Sequence, residues 1–182
     1  MSLLGRVHQT LTAAGCEHAL IGAGALAARG VVRSTFDLDL LTVSAVALEP
    51  ATWSTLGAEG PIIEVRVGDG EDPLAGVIRI EAAGERAVDV VVGKAPWQAR
   101  IIARAEALDV LGLRLRVAGA ADLILLKLYA GGTRDRWDIE ELLASAEDQD
   151  LLFAVDQRVV ELPHDASDLW SDLRDAHKAR GC

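Results

Sequence analysis

Hydrophobic and polar positions along the chain follow two periods, and each period predicts one kind of element. Apolar residues three and four positions apart predict amphipathic helices, whereas alternation or a short apolar run predicts strands. Helices are predicted at residues 3–14, 24–29, 48–57, 96–108, 120–130, 135–146 and within 150–180. Strands are predicted at 17–21, 37–43, 61–67, 76–82 and 87–92, and a small hairpin at 110–117. This order predicts an α/β (α+β) fold in which helices flank a mixed sheet and the C-terminal part is helical.

Composition narrows the class of protein. The chain has 182 residues, of which 51% are hydrophobic and 25% charged, so it can bury a core and is not intrinsically disordered. Charged residues interrupt the apolar stretches well before the roughly 18 residues that a membrane span needs. The first residues lack the apolar run of a secretory signal, and two cysteines are too few for a disulfide framework. We therefore expect a cytoplasmic protein with no membrane partner.

Charge is unevenly distributed along the chain. The net charge of −10 argues against extended, non-specific binding to DNA or RNA. Residues 86–136 nevertheless carry nine Lys and Arg against five Asp and Glu. Two interpretations of this segment stay open: a surface for a phosphate-bearing ligand, and a solvated face with ion pairs.

Two motifs near the N-terminus each have an alternative interpretation. Residues 22–27 match the G-x-G-x-x-A pattern of an NAD(P)-binding Rossmann domain, between a predicted strand and a predicted helix. That fold needs an acidic residue at the end of the second strand, but Asp37 and Asp39 lie at the beginning of one. Asp37-Leu38-Asp39 also fits the nucleophile motif of aspartate-based phosphatases. The roughly 30 residues before the acidic segment 68–72 are too few for the further elements of that chemistry, so 68–72 is interpreted as a turn.

Three aspartates have the chemistry of a divalent-cation site. Asp37 and Asp39 are two positions apart on a predicted strand, so their side chains share a face. A neighbouring strand can bring Asp89 beside them, and hard cations prefer carboxylate oxygens. Three clustered carboxylates repel one another unless a cation neutralises them. In the alternative interpretation all three acids flank or cap strands and face water.

The glycine turn and these acids together resemble a known superfamily. The segments that carry the resemblance are Gly22-Ala23, the Ala-rich helix after it, Arg33-Ser34-Thr35-Phe36-Asp37-Leu38-Asp39-Leu40, and Val88-Asp89-Val90. In this order they resemble the nucleotidyltransferase superfamily that includes DNA polymerase β. The chain is similar within it to AbiEii-type toxins and other minimal nucleotidyltransferases of prokaryotes, whose downstream pattern is matched by Lys127 and residues 134–138. The resemblance covers residues 18–144.

The resemblance implies an activity and a set of site residues. It implies one nucleotidyltransferase-like domain over residues 1–182, with a catalytic core at about 15–95 and a helical part at about 96–182. The implied reaction moves a nucleoside monophosphate from an NTP to a hydroxyl of an RNA end or a protein, with Mg²⁺ or Mn²⁺ as cofactor. The implied catalytic metal ligands are Asp37, Asp39 and Asp89, and the implied nucleotide-binding residues are Gly22, Ala23, Arg33, Thr35, Lys127 and Asp138.

Several alternatives remain beside this interpretation. Relatives often carry Ser at the second position of the turn, and Ala23 lacks that hydroxyl. A catalytically inactive, partner-binding member of the same fold is therefore the main alternative, and the resemblance implies a cognate antitoxin or toxin as a protein partner. For Arg33 the alternative role is to hold its loop onto the sheet. For Lys127 and Asp138 it is a structural ion pair.

Overall fold

The computed structural model describes residues 1–31, 37–58, 60–145 and 149–180. The helices are α1 (Leu3–Ala13), α2 (Gly22–Ala28), α3 (Ser54–Ala58), α4 (Pro96–Arg104), α5 (Ala120–Ala130), α6 (Thr133–Ser145), α7 (Gln149–Val159) and α8 (His164–Arg180). The strands are β1 (His18–Ile21), β2 (Leu38–Thr42), β3 (Ile62–Val67), β4 (Gly76–Glu81), β5 (Val88–Val92), β6 (Glu106–Val110) and β7 (Leu113–Val117). Two 3₁₀ helices, Ala45–Leu48 and Pro50–Trp53, precede α3.

The seven strands form one mixed sheet in the order β3-β4-β5-β2-β1-β7-β6. The pairs β2–β5 and β1–β7 are parallel, and the other four pairs are antiparallel. Helices α2 and α4 pack against β1 and β2. This confirms the predicted fold class of a mixed sheet flanked by helices.

Alternation along the central strands gives the sheet one apolar face. Successive side chains of a strand point to opposite faces, and the buried positions of β4 and β5 follow this period, as does the first half of β2. The side chains of the buried face are Leu38, Leu40, Ile78, Ile80, Val88, Val90 and Val92. The intervening positions include three charged and half-buried residues, Asp39, Arg79 and Asp89. These three charged side chains therefore share the second face of the sheet.

The described residues divide into two compact units. Those up to 118, apart from 29–31, form the first unit, which contains the whole sheet. Residues 29–31 and 119–180 form the second, in which α5 contacts α6, α7 and α8. Helix α5 ends at Ala130. The next residue, Gly131, has a left-handed φ of 66°, a conformation that suits a residue without a Cβ.

Two predicted helices differ from the structure. The helix predicted through residue 108 ends at Arg104, and 106–110 form β6, because a tight turn pairs this segment with β7. Leu111 and Gly112 make that turn with φ values of 51° and 76°. The helix predicted over residues 48–57 is instead a 3₁₀ helix followed by the short α3.

A helix that spans a membrane needs both a sufficient length and a high hydropathy. None of the helices of the described residues combines enough residues with enough apolar character to cross a bilayer.

Candidate functional site

Gly22 lies where β1 turns into α2, and the carboxylate of Asp39 lies against it. Its φ of 60° is in the left-handed region that side chains rarely adopt. A Cβ added to Gly22 would overlap the Asp39 carboxyl group. The register explains this closeness, because Ile21 and Asp39 are partners across β1 and β2. Glycine is therefore required here both by the backbone conformation and by the neighbouring carboxylate.

The three predicted acids lie on one side of the sheet. Asp39 and Asp89 are direct partners across the parallel strands β2 and β5, so their side chains point to the same face. Asp37 immediately precedes β2, at the point where the amide of Leu38 donates a hydrogen bond to the carbonyl of Ala87. The Asp37 and Asp89 carboxylates share one cation, the guanidinium of Arg79. The structure thus places the three acids that the sequence analysis chose as metal ligands on one face of the sheet, and their role as ligands stays a prediction.

Arg79 is a residue of this site that the sequence analysis missed. It is the partner of Asp89 across β4 and β5, and its Nη1 donates to both Asp89 carboxylate oxygens, at 2.9 and 3.2 Å. The same Nη1 lies 3.5 Å from Oδ2 of Asp37. Its Nε donates to Oε1 of Glu81 at 2.8 Å. One arginine therefore links three carboxylates through two different ends of its guanidinium.

A signal for Arg79 was present in the sequence. The two predicted strands at 76–82 and 87–92 flank a short polar segment that contains Gly84. An antiparallel hairpin centred on Gly84 pairs residue 79 with residue 89, as observed. Reading these strands as a hairpin would have placed an arginine opposite the third acid.

Partial burial shapes the electrostatics of the site. Burial raises the pKa of Asp89 above its ordinary value, although Arg79 opposes the rise. The negative charges of Asp37 and Glu81 add to it. A carboxyl group with a raised pKa is a better proton acceptor than an ordinary aspartate. Asp89 thus has the character expected of a group that takes up a proton.

The donor set suits a hard divalent cation, but its present arrangement does not hold one. Three carboxylates on one face are the ligands that Mg²⁺ prefers. Within the described parts of the chain, however, no three His, Cys, Asp or Glu side chains are grouped so that they could hold a metal ion. Arg79 bonds both oxygens of Asp89 and lies beside Asp37. The residues therefore fit the cation in chemistry, while the guanidinium of Arg79 lies against two of the three carboxylates.

Two of the predicted nucleotide-binding residues form an ion-pair cluster in the second unit. Lys127 of α5 contacts Asp135 Oδ1 at 2.6 Å and Asp138 Oδ2 at 2.7 Å, and both acids lie on α6. The Asp138 side chain is fully buried. Burial lowers the pKa of Lys127, but the two acids outweigh it and raise the pKa above its ordinary value. This is the ion pair that the alternative interpretation expects, and the role of Lys127 and Asp138 in nucleotide binding stays a prediction.

The remaining predicted residues are only partly placed. Gly22 and Ala23 begin α2, and Ala23 is buried. Arg33 and Thr35 lie outside the described residues. The role of all four in nucleotide binding stays a prediction.

The topology argues against the NAD(P)-binding alternative. A Rossmann domain connects parallel strands through its first helix. Here β1 and β2, which flank α2, are antiparallel. The Gly-rich segment therefore does not belong to a dinucleotide-binding βαβ unit.

Comparisons with known proteins give similar structures but no related sequence. No protein-family model matches the chain, and no curated protein has a significantly similar sequence. A solution structure of the antibiotic-resistance factor ANT(2'')-Ia matches with a TM-score of 0.48 and 14% identity, over 98% of this chain and 93% of that one. ANT(2'')-Ia in complex with adenylyl-2''-tobramycin matches with a TM-score of 0.45 and 14% identity, over 99% and 97%. An antigenic nucleotidyltransferase-like protein from Paracoccidioides brasiliensis matches with a TM-score of 0.46 and 18% identity, over 90% and 88%. Similarity at this level carries no argument about activity.

Proposed function

We propose that this chain is a nucleotidyltransferase that uses Mg²⁺ or Mn²⁺ to move a nucleoside monophosphate from an NTP to a hydroxyl group. The observation that carries the proposal is the register of β2 and β5, which sets Asp39 directly beside Asp89. Asp37 lies two residues before Asp39, and Gly22 holds the turn beside it. Asp37, Asp39 and Asp89 would hold the cation.

The reaction assigns a task to each group. A bond forms between the acceptor oxygen and the α-phosphorus, the bond to the β-phosphate breaks, and pyrophosphate leaves. A bound cation would supply positive charge beside the reacting oxygens. Asp37 and Asp39, on the same face as Asp89, would hold it. Asp89, with its raised pKa, accepts the proton of the acceptor hydroxyl.

The acceptor and the partners are proposed on the resemblance in sequence. An RNA end or a protein hydroxyl is the proposed acceptor, and a cognate antitoxin or toxin is the proposed protein partner. The net charge of −10 favours an acceptor recognised at one site over extended binding along a nucleic acid.

A second candidate function has its own supporting observation. Arg79 already neutralises two of the three acids, as expected of a catalytically inactive member of the fold that only binds a partner. The two candidates differ in one measurable respect, because only the enzyme releases pyrophosphate from an NTP.

The test is a transfer assay with the four α-³²P-labelled NTPs, total RNA and purified protein. We expect Mg²⁺-dependent labelling by the wild type and a loss on the order of 100-fold in Asp39→Asn, since a metal ligand supports several kcal/mol of transition-state stabilisation. The matched control is Asp109→Asn, a strand aspartate that lies on the β6–β7 hairpin, where it pairs with Arg114. Equal labelling by wild type and Asp39→Asn would remove the proposed site, and no labelling by the wild type would favour the inactive candidate.

A further inference from the structure

Arg79 occupies the position where a cation bridging Asp37 and Asp89 would lie. Its Nη1 is within 2.9 Å of Asp89 Oδ2 and 3.5 Å of Asp37 Oδ2. A divalent cation cannot occupy the space between these two oxygens while Nη1 lies there, because the two positive charges would share one volume and repel each other. The guanidinium and the cation therefore compete for one pair of carboxylates.

Two nitrogens of the guanidinium bond different carboxylates. Its Nε is bonded to Glu81, whose side chain is 51% exposed, while Nη1 faces the two aspartates. Glu81 thus anchors the arginine independently of the metal ligands. Release of Nη1 from Asp89 does not require the bond to Glu81 to break.

Space for this movement lies directly beside the arginine. A surface cavity of about 380 Å³ is bordered by Arg79 and Asp89. Its walls include Val67, Pro73, Leu74 and Val77. The Arg79 side chain is itself 35% exposed, so its rotation displaces solvent and not packed core.

We infer that Arg79 is a positioning residue that holds the carboxylates of Asp37 and Asp89 in the metal-free protein and yields them when the divalent cation binds. This inference rests on the proposed function. It explains why three acids can share a face without a cation, since a guanidinium takes part of the charge. It also explains why the described residues contain no ready-made metal geometry, since the arginine still bonds two of the ligands.

The test is a Mn²⁺ titration followed by the electron paramagnetic resonance signal of free Mn²⁺, which does not depend on activity. We expect Arg79→Gln to bind Mn²⁺ about tenfold more tightly than the wild type, because a hydrogen bond to a charged group that must break on binding has a free energy of that size. The matched control is Arg114→Gln, since Arg114 also lies opposite a strand aspartate, Asp109, but in another hairpin. Its Mn²⁺ affinity should equal that of the wild type.

A second variant, Arg79→Lys, keeps the inference testable if Arg79→Gln does not fold. Arg79→Lys keeps the charge, but a single ammonium cannot hold Glu81 and Asp89 through separate nitrogens. We expect its affinity for Mn²⁺ to lie between those of the wild type and Arg79→Gln.

The outcomes separate the inference from the proposed function. If the wild type binds Mn²⁺ and Arg79→Gln binds it equally or more weakly, the inference is overturned while the metal site stands. If neither binds Mn²⁺ at millimolar concentration, the metal site itself is wrong and the inference is overturned with it. Tighter binding by Arg114→Gln as well would show a general charge effect and would also overturn the inference.

Discussion

At the scale of single residues, the site depends on the absence of one side chain. Gly22 has a left-handed backbone, and the Asp39 carboxylate lies where its Cβ would be. Because Gly22 has no side chain, the Asp39 carboxylate can lie directly against the end of β1.

Gly22→Ala tests this contact. A left-handed backbone costs an L-residue about 1–2 kcal/mol, and the added Cβ would also displace Asp39. We expect Gly22→Ala to lose both stability and Mn²⁺ binding, measured by chemical denaturation and by metal titration.

Gly15→Ala is the matched control for that prediction. Gly15 has a similar φ of 70°, but a Cβ there would meet no atom within 4 Å. It should lose only the free energy of the left-handed backbone, about 1–2 kcal/mol, and keep its affinity for Mn²⁺. Unchanged Mn²⁺ binding in Gly22→Ala would contradict the role of this glycine beside Asp39.

At the scale of elements, the sequence pattern predicted most strands, but it did not predict which residues of neighbouring strands are paired. The alternation of β3 and β4 was visible in the sequence, and so was the acid in the buried strand β5. Which residue lies opposite Asp89 depends on strand register, and for that reason Arg79 was missed. Residues 106–108 were interpreted as the end of a helix, and Glu, Ala and Leu do favour helices, but pairing with β7 outweighed that preference.

Lys127 shows how two helices are joined by charge. Its ammonium on α5 bonds two carboxylates of α6, and the Asp138 side chain is fully buried. Removing one partner of a buried ion pair leaves the other charge in a poor environment. We expect Lys127→Ala to lower the free energy of unfolding by about 3 kcal/mol, measured by urea denaturation.

Lys178→Ala is the control for the lower free energy of unfolding expected of Lys127→Ala. Lys178 is exposed on α8, so its substitution should leave the stability unchanged within about 0.5 kcal/mol. If Lys127→Ala were as stable as the wild type but bound NTP more weakly, Lys127 would be a phosphate ligand and not a structural cation.

At the scale of the whole molecule, the sequence predicted the class of fold and the face of the acids. Period-two alternation and the spacing of Asp37 and Asp39 required only local information, and the mixed sheet followed from the order of elements. The partition of the described residues into two compact units depends on contacts between distant parts of the chain, which periodicity does not encode. The pairing of the acids with an arginine is likewise a tertiary property.

The most direct measurement of the central claim is the anomalous diffraction of Mn²⁺ in crystals grown with a non-hydrolysable NTP analogue. The account predicts a Mn²⁺ peak bonded to carboxylate oxygens of Asp37, Asp39 and Asp89, with Arg79 Nη1 withdrawn from Asp89. Crystals that contain bound nucleotide but show no Mn²⁺ peak at these carboxylates, with Arg79 still bonded to Asp89, would contradict it.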